Sequence, residues 1–332
     1  MVNFALVGCG FIANKHSEAI SEIEDACIYA VCDKIEQNMV PYKEKHSALT
    51  YNDYDLLLQD PNVQVVNICT PSGTHAALAI KAAKAGKHVI LEKPMALNEK
   101  DANDIILACR ANNVKLAVVH PNRFRPALIE LKKLLESGAF GTISHINATV
   151  RWNRDKAYYS QAPWRGSRAM DGGVLMNQAI HNLDLLLWLM GPVEQLKAFT
   201  STRYREIECE DVAVAIATFK SGALGVIEAA TTIYPKNLEE SISIFGEKGT
   251  AVIRGVHANE FEHLSVEGLS EEQIGKIKNA AMTTQQKSGH AYIIEDMINC
   301  ISQDNEPLVG GEDGKNALEL VLAITKAAES KI

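Results

Sequence analysis

The chain has 332 residues, enough for two domains at roughly 150 residues each. Hydrophobic residues make up 47% and charged residues 22%, a globular balance that excludes global disorder. With 33 Lys and Arg against 41 Asp and Glu, the formal net charge of −8 argues against general binding of DNA or RNA.

Residues 3–7 form a short apolar run that stops at Gly8-Cys9-Gly10. A helical pattern follows, with Phe11, Ile12, Ala19, Ile20 and Ile23 among charged residues. Further apolar runs at 27–32, 63–69, 88–91 and 115–119 predict strands, and 75–85 and 98–111 predict helices between them. Strands that are apolar throughout and alternate with helices indicate a parallel sheet covered on both faces. From about residue 121 the pattern changes. Stretches at 141–152, 193–202, 212–219, 223–233, 240–245 and 250–254 alternate partially and are joined in several places by short glycine turns, which predicts antiparallel hairpins. One long apolar helix at 174–190 ends at Gly191-Pro192, and helices at 291–302 and 314–330 close the chain. The predicted fold is an α/β Rossmann domain over 1–120 followed by an α+β domain with a large, mostly antiparallel sheet over 121–332.

No run reaches the ~18 consecutive apolar residues of a membrane span. The start, through Gly8, lacks the basic flank and cleavage site of a secretory leader. Seven scattered cysteines without a Cys-x-x-Cys pair predict reduced thiols in a cytoplasmic protein. No His, Asp or Glu cluster shows metal-ligand spacing, so no metal site is expected.

Gly8-Cys9-Gly10-Phe11-Ile12-Ala13 fits the G-x-G-x-x-G/A pattern in its proper context, after the first strand and opening the first helix. The first glycine allows the tight turn, the second admits a pyrophosphate, and the helix N-terminus offers N–H donors. Asp33 stands about 20 residues beyond Ala13 at the end of the second strand, where a carboxylate accepts ribose hydroxyls and repels a 2′-phosphate. NAD is therefore expected over NADP, with Lys34 weakening the exclusion. Thr70-Pro71-Ser72-Gly73-Thr74-His75 follows a later strand on the ligand edge of the sheet and reads as a cofactor contact or as a helix cap through Thr74. Glu92-Lys93-Pro94 ends another strand on that edge, where a lysine can exchange a proton with a substrate hydroxyl. Farther along, Asn177 and His181 stand four apart on one helix face, and Asp184, three further on, could orient the imidazole. Residues 151–171 hold five basic against two acidic side chains, with Tyr158, Tyr159 and Trp164 among them. That island suits an anionic ligand with a ring to stack.

The Gly-x-Gly-x-x-Ala start, Glu92-Lys93-Pro94, and Gly172-Gly173 followed by His181 and Asp184 resemble the glucose–fructose oxidoreductase/inositol dehydrogenase (Gfo/Idh/MocA) family along the whole chain. The resemblance implies that Lys93 and His181 act on a substrate hydroxyl while hydride passes to nicotinamide. Many members have Asp where this chain has Asn177. That departure, with the Arg151–Gly166 segment and Phe245-Gly246-Glu247-Lys248-Gly249-Thr250, resembles the branch that oxidises UDP-N-acetyl-glucosaminuronate at C3 for surface-polysaccharide sugars. The implied cofactor set is Gly8, Gly10, Phe11, Ile12, Asp33, Lys34, Thr70, Pro71, His75, Glu92, Lys93, Asn122, Trp164 and Arg165. The implied substrate set is Lys93, Arg154, Tyr158, Tyr159, Asn177, Gln178 and His181. The resemblance further implies a homo-oligomer, dimer or tetramer, with no nucleic-acid or membrane partner. A dehydrogenase of a free sugar or polyol, and a non-catalytic dinucleotide-binding sensor, are the alternatives. Retention of both Lys93 and His181 argues against the sensor.

Overall fold

The structure, a computed structural model, describes residues 1–283 and 287–329. The chain forms two compact units, Met1–Pro121 with Lys287–Lys315, and Asn122–Gln286 with Asn316–Ile332.

In the first unit β1 (Val2–Val7), α1 (Phe11–Ser21), β2 (Ala26–Cys32), α2 (Glu36–His46), β3 (Leu49–Tyr51), α3 (Tyr54–Gln59), β4 (Val65–Ile68), α4 (His75–Lys84), β5 (His88–Leu91), α5 (Glu99–Ala111) and β6 (Leu116–Val118) follow one another. The sheet order is β3-β2-β1-β4-β5-β6, and every pairing is parallel. Its central strands are buried on both faces, through Phe4, Leu6, Val65, Val66, Ile90 and Leu91, as their unbroken apolar runs require. The order reverses between β1 and β4, so their carboxyl ends flank the switch point where ligands bind in such sheets.

The second unit begins with α6 (Pro126–Glu136), β7 (Ile143–Arg151) and the single turn α7 (Lys156–Tyr159). A π-helical turn, Leu175–Ala179, runs directly into α8 (Ile180–Met190). Then come β8 (Val193–Ser201), β9 (Val212–Phe219), β10 (Leu224–Ala230), β11 (Glu239–Gly246), β12 (Gly249–Arg254), β13 (Glu260–Val266) and α9 (Glu271–Thr283). The seven strands are ordered β13-β12-β11-β7-β10-β9-β8. All pair antiparallel except β7 with β10, which run parallel because the long segment carrying α8, β8 and β9 separates them. In β9, Ala213, Ala215, Ala217 and Phe219 are buried, while Val214 and Ile216 point to the opposite, exposed face. Phe199, Leu224 and Val226 share that face by register.

The chain closes with α10 (Gly289–Gln303) and α11 (Gly311–Glu329); Ser330, expected to end the last helix, lies outside the described residues. The sequence placed everything after residue 120 in one later domain, but Lys287–Lys315 belongs to the first unit. There α10 packs on α1, Gly310 bridges Ala117 at the β6 edge, and the Val118 N–H donates to the Val309 carbonyl at 2.9 Å. A returning segment that docks through backbone bonds leaves no compositional trace. The sequence reading passed over the regular helices α6, which buries Ala127, Leu128 and Leu131, and α9, and also several elements that are marginal in pattern. In α2 only Met39 and Tyr42 are buried and Pro41 interrupts the interior, β3 has three residues, and β13 is a largely exposed edge.

Candidate active site

Within the first unit, the glycine loop is shaped by its neighbours. Gly8 sits at φ +87°, and a Cβ there would lie 2.7 Å from Thr70 Cγ2, so only glycine fits. A Cβ on Gly10 would meet nothing within 4 Å, which leaves open space beside the backbone for a pyrophosphate. Gly10 is also the N-cap of α1 and makes no side-chain cap, so the first-turn N–H groups of Phe11 and Ile12 are not satisfied by a cap side chain. Phe11 is 77% exposed. Asp33 is tied into the loop: one carboxylate oxygen accepts from Cys9 N–H and the other from Ile35 N–H, both at 2.8 Å. Lys34 beside it is exposed. The pocketed glycines and the oriented Asp33 carboxylate fit a dinucleotide, and a 2′-phosphate would face that carboxylate.

Thr74 does not cap α4 with its side chain. Its hydroxyl faces the Pro71 carbonyl and the Thr70 hydroxyl, both at 2.7 Å, bracing the Thr70–Pro71 loop from behind. His75 is buried, with both ring nitrogens on protein carbonyls. Glu92 is buried as well. Its Oε1 accepts from His16 Nε2 at 2.9 Å, and its Oε2 accepts the Lys93 N–H at 3.1 Å. Asn67 Nδ2 donates to His16 Nδ1 at 2.9 Å, which leaves the His16 proton on Nε2, facing Glu92. Burial pushes the Glu92 carboxyl upward, but the bonds and charges of His16 and His290 overcome it and hold it well below the usual range. Burial also pulls His16 down. Lys93 is half-buried and its bond to Pro94 is cis.

No metal was expected, yet the ligand atoms of His16, Glu92 and His290 all lie within 4.8 Å of one another. Three distant stretches of sequence supply them, so spacing hides the group. His16, on the buried face of α1, was the one legible signal: a polar side chain at an apolar helical position.

In the second unit, Trp152, Arg154, Tyr158, Arg165 and Trp164 form a ladder of stacked rings and guanidinium groups. The Arg154 guanidinium carbon lies 4.8 Å from the Trp152 ring and 4.9 Å from Tyr158; that of Arg165 lies 4.3 Å from Tyr158 and 4.8 Å from Trp164. Tyr158 meets Tyr159 edge-on at 5.1 Å, and its hydroxyl accepts from Arg165 at 2.7 Å and from Gln178 at 3.4 Å. The sequence reading offered these aromatic faces to a ligand ring; the arginines of the same segment already occupy faces of Trp152, Tyr158 and Trp164. Of the five basic residues, Arg151 is paired with Glu228 and Glu239, and Lys156 stands 3.8 Å from Glu206. Arg168 binds Glu208 through its backbone N–H and its guanidinium. Arg154 and Arg165 have no carboxylate partner among the described residues.

The helix that carries Asn177 and His181 starts as a π turn, a local widening frequent at functional sites. Glu210 holds its start by accepting the Leu175 N–H at 3.0 Å, and burial pushes that carboxyl upward. Asn177 donates its amide to buried Asp171, whose other oxygen accepts the Gly166 N–H at 2.7 Å. Asn177 and His181 are half-buried and Gln178 is buried. Asp184, three residues beyond His181, accepts from Arg123 through both oxygens, at 2.6 and 2.8 Å, in a buried bidentate pair. Asn122, expected at the cofactor, donates to buried Glu240 at 3.0 Å.

The comparisons agree with this architecture. Residues 2–120 match the oxidoreductase family with an NAD-binding Rossmann fold, and residues 128–252 match the GFO/IDH/MocA C-terminal domain. The WlbA dehydrogenase from Bordetella pertussis, solved in complex with NADH and UDP-GlcNAcA, is 38% identical with a TM-score of 0.94, covering 98% of this chain and 95% of that one. The WlbA dehydrogenase from Chromobacterium violaceum, in complex with the same two molecules, is 36% identical with a TM-score of 0.93, covering 98% and 93%. Myo-inositol 2-dehydrogenase of Thermotoga maritima is 31% identical over 99% of this chain and 97% of its own. The chain therefore belongs to the GFO/IDH/MocA oxidoreductase family, as an NAD-dependent sugar dehydrogenase.

Proposed function

We propose that the protein oxidises the C3 hydroxyl of a UDP-N-acetyl-hexosaminuronate to the 3-keto sugar, in the cytoplasmic synthesis of surface-polysaccharide sugars. The observation that carries this reading is the pair Arg154 and Arg165, both over the Tyr158 ring and without a carboxylate partner among the described residues. Planar cations left without counter-ions suit a diphosphate or a uronate carboxylate. Full-length likeness to two dehydrogenases crystallised with UDP-GlcNAcA supports the same substrate class.

In this reading Gly8, Gly10, Phe11 and Ile12 receive the pyrophosphate, and Asp33 accepts the adenosine ribose hydroxyls. Bound NAD supplies the hydride acceptor. Lys93 takes the substrate hydroxyl proton, and His181 bonds the same hydroxyl. Tyr158, Tyr159, Gln178 and the Asn177 carbonyl shape the sugar pocket, and Asn177 adds no negative charge near an anionic substrate. The apolar sheet face with Phe199, Val214, Ile216, Leu224 and Val226 exposed supports self-association into a dimer or tetramer. A polyol dehydrogenase is the second reading, favoured by the full-length likeness to myo-inositol 2-dehydrogenase.

Steady-state kcat/KM for UDP-GlcNAcA and for myo-inositol, with NAD, separates the two. The UDP-sugar is expected to be preferred, and replacing Arg154 and Arg165 together by Ala is expected to lower its kcat/KM by about 100-fold, as two charge-assisted bonds imply. A preference for myo-inositol that the double variant leaves unchanged would contradict the reading.

A further inference from the structure

His75 opens α4 and is 1% exposed. Its Nδ1 lies 2.8 Å from the Pro94 carbonyl oxygen and its Nε2 2.8 Å from that of Thr70. Both partners only accept, so making the two bonds together requires a ring protonated on both nitrogens. Burial holds the ring's pKa below that of an ordinary histidine; the two carbonyls and the Glu92 charge oppose the shift, and Lys93 adds to it. The neutral ring has one N–H to give, and the two carbonyls compete for it.

The placement of those carbonyls gives the competition a consequence. Thr70 belongs to the loop after β4 and Pro94 to the turn after β5, one residue past Lys93. The other side of Lys93 is fixed independently by Glu92, which is held by His16 and accepts the Lys93 N–H. His290 Nε2 stands 3.7 Å from Glu92 Oε1, the oxygen held by His16. Lys93 is thus a half-buried lysine on a turn whose preceding side chain and following carbonyl are both gripped by histidines.

We propose that His75 is a positioning residue for Lys93: its Nδ1–H bond to the Pro94 carbonyl sets the backbone of the turn and so the aim of the Lys93 amine. The inference rests on Lys93 being the proton-exchanging residue. The ring contributes through the turn, since neither nitrogen is left for the cofactor or substrate.

Two near-isosteric variants divide the ring's roles. In His75→Asn the amide nitrogen takes the place of Nδ1 and keeps the Pro94 bond; in His75→Gln it takes the place of Nε2 and keeps the Thr70 bond instead. With NAD and UDP-GlcNAcA, His75→Gln is expected to lower kcat by about 30-fold with KM for NAD within about twofold, the loss a misaimed reacting group produces, while His75→Asn stays within about threefold of wild type. Hydrogen exchange over residues 92–96 provides a readout without substrate: His75→Gln is expected to speed it and His75→Asn to leave it unchanged. Equal behaviour of the two variants, in kcat or in exchange, would overturn the role of His75. A wild-type protein inactive on both UDP-GlcNAcA and myo-inositol would count against the proposed function, and exchange would still decide the role of His75.

Discussion

Asp33 and Lys93 show how far single side chains carry the chemistry. The Asp33 carboxylate is oriented by two backbone N–H groups, one of them from the glycine loop. Replacing Asp33 with Ala is expected to weaken NAD by about tenfold or more, the scale of a lost charge-assisted bond, and to affect NADP less. An unchanged NAD/NADP ratio in equilibrium titrations would remove Asp33 from the ribose site. Lys93→Met is expected to abolish hydride transfer and leave NAD affinity within about twofold, because a proton-exchanging group acts on the substrate hydroxyl. Glu92 has a further consequence in pH. Its folded pKa lies well below the unfolded value of about 4.3, so its contribution is complete above that value and is lost as pH falls through the folded one. Wild type is therefore expected to lose more thermal stability than Glu92→Gln on acidification below about pH 4, as scanning calorimetry would register. Equal losses would contradict the ionised, histidine-held state of Glu92.

At the scale of elements, the legible parts were those whose pattern is strong. Apolar runs ending at Gly8, Asp33, Thr70 and Glu92 located the four central strands and the ligand edge of the sheet, because a doubly covered strand must be apolar throughout. The helix from 174 to 190 was legible as well, but its first turn is π-helical, held by Glu210, a residue from a different part of the chain. Side-chain pairings were the least legible. Spacing put Asp184 within reach of His181 but gave no hint of its bidentate pair with Arg123, because sequence proximity carries no information on a partner brought in by tertiary packing. The same holds for the basic island, where the net charge was readable and the stacking of Arg154 and Arg165 on neighbouring rings was not. The Arg123–Asp184 pair carries its own prediction. Asp184→Ala removes both carboxylate bonds to the buried Arg123 guanidinium and is expected to cost about 3–5 kcal/mol in denaturant unfolding. A loss below ~1 kcal/mol, the scale of an exposed pair, would mean the site is hydrated.

For the molecule as a whole, two facts bear on how it works. Among the described residues no helix is long and apolar enough to cross a membrane. The seven-stranded sheet, however, presents an apolar face, with Phe199 at 65% and Ile216 at 60% exposure beside Val214, Leu224 and Val226. Ile216→Glu places a charge at the centre of that face and is expected to shift the protein toward monomer in light scattering; a wild-type monomer would count against self-association through it. The proposed reaction is tested most directly by a single-turnover experiment that mixes the protein and NAD with UDP-GlcNAcA and follows the NADH absorbance band. A rise stoichiometric with enzyme sites, absent in Lys93→Met, is expected. No rise with NAD binding confirmed, together with a rise on myo-inositol, would contradict it.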